Sequence, residues 1–572
     1  MAETLLSPGF LARENDQSQV TQNPQVFGAA IIGPAVKGPV EIPTLVTSYT
    51  DYTSIYGGAV ESGSTTYSYL TSIAVNNYFQ NGGTSMLMTR VVPGGGSNFT
   101  PASSSVAKTG SVDTTGAFVL ETISEGEIMN SDSTEGSNGT LPSGSKDNVR
   151  WEITSANTSS GTFNLTIRRG DDKSNDKSVI ESYANLSLDP YSTNYIVKRI
   201  GDTSYSLTED DGDYYIQETG SFPNTSRYVR VKSVNLKTPK YFDNNGVAKD
   251  EFTGSLPIVQ SGSFGGATGA NISGGEKFYD EINANVSGVT GSDYTSVISL
   301  LSNQDNYKYN LIFAPGLTTE HHSTQLTEIV NNAVSRGDHL AVIDLRPYGS
   351  TVNEVVGSAA GYDSSYASTY WPWLQTIDPN TGNNVWVPAS TLMPGVFAFT
   401  DASSDPWFAP AGITRGGLGT VIKAERQLTA GNRDTLYEAN VNPIATFPGT
   451  GVVVYGQKTL QKRATALDRV NVRRLLVSLK EFIGQVANTL VFEQNTVATR
   501  NNFLTQVNPY LESVQQRQGL YAFQVVMDES NNTADVVDRN ELVGQIFLQP
   551  TKTAEYIVLD FNVLPTGAVF PA

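Results

Sequence analysis

The chain has 572 residues, too many for one ordinary core, and its 38% hydrophobic content is enough to fill roughly three or four domains. A formal net charge of -19 excludes a surface that neutralises phosphates as a whole, so direct nucleic-acid binding is not expected and only a local basic patch could meet an acidic partner. The absence of cysteine excludes disulfides, thiolate metal sites and a cysteine nucleophile.

Charged residues make up 16% of the chain, while Gly, Ser, Thr, Asn and Tyr are abundant. That balance favours β structure with many turns over long helical arrays. The apolar runs are shorter than a membrane span, and MAETLLSPGF lacks the basic start and apolar centre of a secretory signal. The expectation is a soluble protein, without membrane insertion, folded in the cytoplasm where it is made.

In chain order, LLSPGFLARENDQSQVTQ (5–22) has too little apolar periodicity to bury itself. Pro8 and Gly9 can set a turn, after which Phe10 and Ala12 would fall on one face of a strand and Leu11 and Arg13 on the other. Residues 26–93 read as an α/β unit. FGAAIIGPAVKGP suggests a strand and turn, Tyr67, Leu70, Ile73, Ala74 and Tyr78 mark one face of a helix ended by Asn81, Gly82 and Gly83, and SMLMTRVV resumes as a strand.

From about residue 97 to 288 the composition shifts to Ser, Thr, Asn, Asp and Gly, with short alternating runs such as RWEIT, TFNLTIRR, DYYIQE and RYVRVKSV. These predict inserted antiparallel β modules. NLIFAP, TQLTEIVNNAVSRGD and HLAVIDLRP then form a βαβ pattern.

The clearest helix is predicted over 467–494, with apolar residues recurring from Leu467 to Leu490. A second helical stretch over 501–517 is interrupted or started near Pro509. YAFQVVMDESNNTADVVDRN reads as a hairpin turning at Asn531 and Asn532. Finally, EYIVLDFNV is predicted as a strand, with Ile557, Leu559, Phe561 and Val563 on one face.

No catalytic constellation stands out. His321 and His322 precede a helix and His339 opens a buried strand, so loop, cap and structural roles outweigh a zinc site. VVPGGGSN and RGGLGTVIK lack the endings that phosphate loops need. The acidic run EDDGDYY is better read as a solvated hairpin tip than as a calcium loop. Asn-x-Ser/Thr sequons at Asn98, Asn138, Asn157, Asn164 and Asn185 follow from the loop composition. The chain is therefore expected to be neither an enzyme nor a metal or cofactor protein.

One charge asymmetry does stand out. Residues 458–517 carry nine Lys and Arg against four Asp and Glu, with Arg469, Arg473, Arg474 and Lys480 on or beside the clearest helix. Either this is ordinary helix solvation, with some of these arginines paired to Asp468 or Glu481, or it is a face that meets an acidic partner.

Several stretches together resemble the tail sheath proteins of contractile-tailed bacteriophages, particularly the T-even type: LLSPGF (5–10), GAAIIGPAVKGP (28–39), YFQNGGTSMLMTRVV (78–92), WFAPAGITRGGL (407–418), DTLYEANVNPI (434–444), GVVVYGQKTL (451–460), LDRVNVRRLL (467–476) and VDRNELVGQIFLQP (537–550). They run in order through both ends of the chain and leave out the segment from about 97 to 288.

The resemblance implies a mixed α+β, multidomain chain, with an α/β sheath core built from both ends and an antiparallel β-rich insertion. The implied divisions are an inter-subunit arm (1–22), a discontinuous middle domain (23–96 with 289–420), an outward-facing insertion (97–288) and an inner C-terminal domain ending in a strand and arm (421–572). It implies stacked hexameric rings around an inner tail tube, with baseplate and terminator proteins at the ends. The place implied is a virion tail assembled in the host bacterial cytoplasm.

On this resemblance the strand-exchange candidates are Pro8, Gly9, Phe10, Leu11, Ala12, Arg13, Ile557, Leu559, Phe561 and Val563. Arg469, Arg473, Arg474 and Lys480 are candidates for a tube-facing or inter-subunit charge surface. A β-rich, glycan-binding adhesin is the alternative from another class, and the sheath of a phage-derived contractile injection particle is a variant of the same reading.

Overall fold

The computed structural model describes residues 26–62, 65–110, 116–131, 135–270, 285–286 and 289–556. Its centre is an eight-stranded sheet. The strands are β1 (Ala29–Gly33), β2 (Thr44–Val46), β3 (Met86–Arg90), β4 (Leu311–Thr318), β5 (Leu340–Asp344), β6 (Ala367–Trp371), β7 (Asn442–Phe447) and β8 (Gly451–Val454). Their spatial order is β8-β7-β6-β5-β4-β1-β3-β2. The inner six are parallel, and β2 and β8 add an antiparallel strand at either edge.

The parallel strands are short, nearly continuous apolar runs because both faces are covered. Ala29 and Ile31 point to one face, where α1 (Leu70–Gln80) packs with α3 (Ala389–Ser403) through Ile73, Ala74, Val396 and Phe397. Ala30 and Ile32 point to the other face, which Leu326, Ile329 and Ala333 of α2 (Thr319–Arg336) cover. At the end of α2, Gly337 takes φ +68° and donates its N–H to the Ala333 carbonyl at 2.9 Å, a left-handed cap that turns the chain into β5.

The expected α/β units therefore form one sheet drawn from both sides of the insertion, and the mixed fold class holds. Tyr67 is a correction. It sits in the short strand Thr65–Tyr67 ahead of α1, because the helix starts only at Leu70.

Between β3 and β4 lie two four-stranded antiparallel sheets, each closed by a short strand from residues 260–265. They share one core in which Phe118 and Phe163 stack at 5.5 Å beside Trp151 and Ile153. The acidic run forms the turn of the hairpin Ser204–Asp210 and Asp213–Thr219. Fully buried Arg90 joins the insertion to the central sheet, donating to the carbonyls of Gly38 and Glu125 at 2.6 and 3.0 Å.

The C-terminal unit is built on two antiparallel helices, α4 (Val470–Asn488) and α5 (Val497–Gln516), with Phe482 stacked on Tyr510. The helix expected over 467–494 is shorter at both ends. Arg469 is held extended by a bridge to Lys458, and Phe492 takes a positive φ beyond the last turn.

Pro509 does not interrupt α5. It lies on the exposed side, where the carbonyl it leaves without a donor stays solvated. The expected local hairpin at Asn531 and Asn532 is also corrected. Strand β9 (Leu520–Val526) pairs with β10 (Gln545–Pro550), on the far side of a short helix, Ala534–Asp538. Asn532 closes this longer connection by accepting from Val543 N at 2.9 Å and donating to Val543 O at 2.8 Å. Among the described residues, no helix is long and apolar enough to cross a membrane.

Candidate inter-subunit interface

The β9–β10 hairpin lies on α4 and α5. Phe523, Val525, Ile546 and Leu548 are turned to the helix core, where they meet Leu475, Leu479, Val507 and Leu511. Its other face exposes Tyr521 and Phe547. Among the described residues each strand pairs only with the other, so neither outer edge is covered by a further strand, although Gln515 donates to the Tyr521 carbonyl and Asn531 to the Val526 carbonyl of β9. A two-stranded sheet is marginal by itself, and packing on the two helices is what stabilises this one.

Beside the hairpin runs a groove of about 920 Å³, between the residues around Trp407 and the segment 551–556. Its walls are aromatic and cationic. Arg415 lies over Phe408 at 5.1 Å and Arg433 near Tyr455 at 5.9 Å.

Glu555 pins the segment that borders the groove. Arg469 grips it bidentately at 2.7 and 3.0 Å, Gln457 donates at 3.0 Å and the Tyr437 hydroxyl at 2.9 Å. Burial works against the Glu555 carboxylate, yet these hydrogen bonds and the Arg469 charge outweigh it and hold its pKa below the ordinary value. The same pairing holds Arg469 above its ordinary value despite partial burial.

The remaining basic candidates are also engaged within the chain. Buried Arg473 stacks on the Tyr366 ring at 3.9 Å and donates to Ser365, and desolvation lowers its pKa. Buried Arg474 pairs with Asp401 at 2.6 Å over the face of Phe397. Lys480 is exposed, with its ammonium 3.1 Å from the Tyr366 hydroxyl and 3.4 Å from the Gly337 carbonyl. Together the four fasten α4 to the central body and to the C-terminal segment.

Residues 8–13 and 557–563, which hold all the strand-exchange candidates, lie outside the described residues. His322 sits in the first turn of α2 and accepts from Thr318 N at 3.3 Å, and buried His339 contacts Asp338 at 2.8 Å. Among the described residues no cluster of His, Asp and Glu could hold a metal. Sequence reasoning missed the Glu555 clamp, whose partner Arg469 is 86 residues away, and the groove, whose walls come from several separated segments.

This is a sheath-type fold. It superposes on a sheath tail protein from Listeria innocua over 92% of this chain and 96% of that one, with a TM-score of 0.52 at 10% identity, a likeness of fold alone. Residues 287–460 match the phage tail sheath protein central domain and residues 463–563 the phage tail sheath C-terminal domain. In its central and C-terminal parts the chain is thus related to the phage tail sheath proteins, which are structural proteins rather than enzymes.

It is 30% identical over 367 residues to the tail sheath protein of Vibrio phage KVP40, covering 59% of this chain and 52% of that protein. To the tail sheath protein of Enterobacteria phage T4 it is 38% identical over 207 residues, covering 36% of this chain and 31% of that one. The chain thus spans about half, or less, of the length of these curated relatives.

Proposed function

We propose that the chain is a subunit of a contractile tail sheath that polymerises as stacked hexameric rings around an inner tube, in a virion tail assembled in the bacterial cytoplasm. Contraction drives the tube through the bacterial envelope to deliver the genome, while baseplate and terminator proteins hold the two ends. The observation that carries this reading is the two-stranded β9–β10 sheet, with no further strand at either edge among the described residues. Strands from neighbouring copies would complete it by backbone hydrogen bonding, a link that survives rotation of the subunits. Contacts of this heterologous kind generate open helical assemblies.

In this reading residues 1–22 and the C-terminal end are exchanged arms. Residues 23–96 with 289–420 form the middle body, 97–288 project outward and 421–572 line the inside. Pro8 to Arg13 and Ile557, Leu559, Phe561 and Val563 supply the exchanged strands. Support for a charged contact with the tube is greatest at exposed Lys480 and least at Arg473 and Arg474, which are buried on internal partners. Contraction releases a difference in inter-subunit contact energy. About 5.5 kcal/mol per two-state element suffices to move it from 1:99 to 99:1, and coupled copies add their shares.

Negative-stain electron microscopy of the purified full chain tests the proposal. Long hollow striated tubes are expected, and discrete particles under all assembly conditions would refute it. Removing residues 1–22 should leave a folded protein that no longer polymerises. Tubes formed by that truncation would refute the role given to the N-terminal arm.

A further inference from the structure

The C-terminal unit carries opposite features at its two ends. At one end, the turn after α4 brings Glu493 N within 3.0 Å of the Leu490 carbonyl and throws Phe492 outward. Phe492 is 100% exposed with φ +71°, a left-handed conformation rarely taken by a bulky residue, and no packing among the described residues holds it there. Val491 and Val497 are exposed beside it. The β9–β10 connection lies against this tip, where Asn495 donates to the Glu541 carbonyl at 2.8 Å. Residues 489–499 and 527–544 together hold six acidic residues and one basic one, Arg539, which is paired with Glu541. The tip is therefore an apolar knob ringed by negative charge.

The aromatic groove lies at the other end. It is lined by Asn471, in the first turn of α4, and by Leu520, at the start of β9. The 19 residues of α4 put the two ends about 28 Å apart, so no copy can fill its own groove with its own tip. Among charged residues of the lining are Arg415, Arg433 and Lys552 against Asp434 and Glu555, and Glu555 is neutralised by Arg469. Tyr455, Tyr521 and Tyr556 are exposed along the rim. An apolar acidic knob and an aromatic basic groove on one molecule are complementary in shape class and in charge.

We infer that the Phe492 tip of one copy docks in the Trp407–Tyr521 groove of a second copy of this chain, a head-to-tail contact separate from any exchange of strands. Such a contact is heterologous and passes from copy to copy, closing into a ring or continuing as a helix according to its rotation. It names a contact within the assembly proposed above and rests on that reading in requiring like copies side by side.

The absence of cysteine makes the test direct. Gln494→Cys, beside the tip, and Ala554→Cys, on the groove wall, are made in separate full-length proteins, mixed under assembly conditions and oxidised. The expected result is a disulfide-linked dimer on a non-reducing gel, formed by the mixture and by neither protein alone, and weakened in 0.5 M salt. Adding Phe492→Asp to the Gln494→Cys protein should cut its yield by about tenfold or more, while Phe492→Leu keeps it. Because Phe492 is fully exposed among the described residues, an unchanged melting temperature verifies that the aspartate variant is folded.

Tubes without the mixed disulfide overturn the inference and leave the sheath reading standing. The disulfide without tubes supports the contact and refutes the sheath reading. A disulfide formed by the Gln494→Cys protein with itself overturns head-to-tail docking in favour of a two-fold contact. Neither tubes nor disulfide refutes both.

Discussion

Arg469 and Glu555 form a bidentate ion pair at 2.7 and 3.0 Å, tying the residue before α4 to the last described segment of the chain. The clamp fixes Glu555 against the C-terminal unit, one residue before the end of the described chain.

Glu555→Gln should lower stability by about 1–2 kcal/mol in urea unfolding at pH 7, a charge-assisted pair discounted for its partial exposure. The folded pKa of Glu555 is depressed. Its contribution is therefore fully present above the ordinary glutamate pKa and is lost as pH falls through the folded value. Wild type and Glu555→Gln should converge in stability at low pH.

At Gly395, where the two helices on one face of the central sheet meet, an added Cβ would strike the Asn77 side chain. Gly395→Ala therefore forces α1 and α3 apart despite the better helix propensity of alanine, and should cost about 1–3 kcal/mol by thermal unfolding. Alanine at Gly357, a helical position with open space around the site, serves as the control and should be neutral or stabilising.

Asp401→Asn leaves the buried Arg474 guanidinium without its carboxylate and should destabilise the chain by about 1–3 kcal/mol, whatever happens to assembly. Lys480→Glu, at an exposed position, should leave the melting temperature nearly unchanged. If the proposed charged contact lies there, that variant weakens co-assembly with tubes at low salt.

Buried Asp344 accepts hydrogen bonds from the Ser390 N–H and hydroxyl at the start of α3. Burial lifts its pKa to about 7 against the pull of those bonds. The folded chain therefore keeps a proton that the unfolded chain has released, so stability falls as pH rises from roughly 4 to about 7 and then levels off. Burial also lifts Glu125 to about 7, adding a slope of the same sign. Calorimetry between pH 5 and pH 8 should show the decline, partly flattened in Asp344→Asn.

Much of the secondary structure was legible wherever one short-range pattern dominated. The strands β1, β3, β4 and β5 are apolar runs bounded by Gly, Pro or polar turns, and α2 and α4 show helical periodicity. The hairpin partner of β9 was misread because Asn531 and Asn532 are a strong local turn signal. Asn532 instead bonds its amide to Val543, and the alternating QIFLQP places Ile546 and Leu548 on the helix core.

Composition, apolar periodicity and the ordered sheath-like stretches by themselves determined the mixed fold, the β-rich segment between β3 and β4 and the likeness to tail sheath proteins, because those signals reside in neighbouring residues. Tertiary structure decided what the basic helix does with its charge. Arg473 and Arg474 carry apolar stems that bury against Tyr366 and Phe397, and their guanidinium groups find partners more than 70 residues away. It also decided that Glu555, read as the start of a strand, is the ion-paired anchor of the C-terminal segment. Coulomb attraction and desolvation depend on distance in space, and one-dimensional order does not carry that distance.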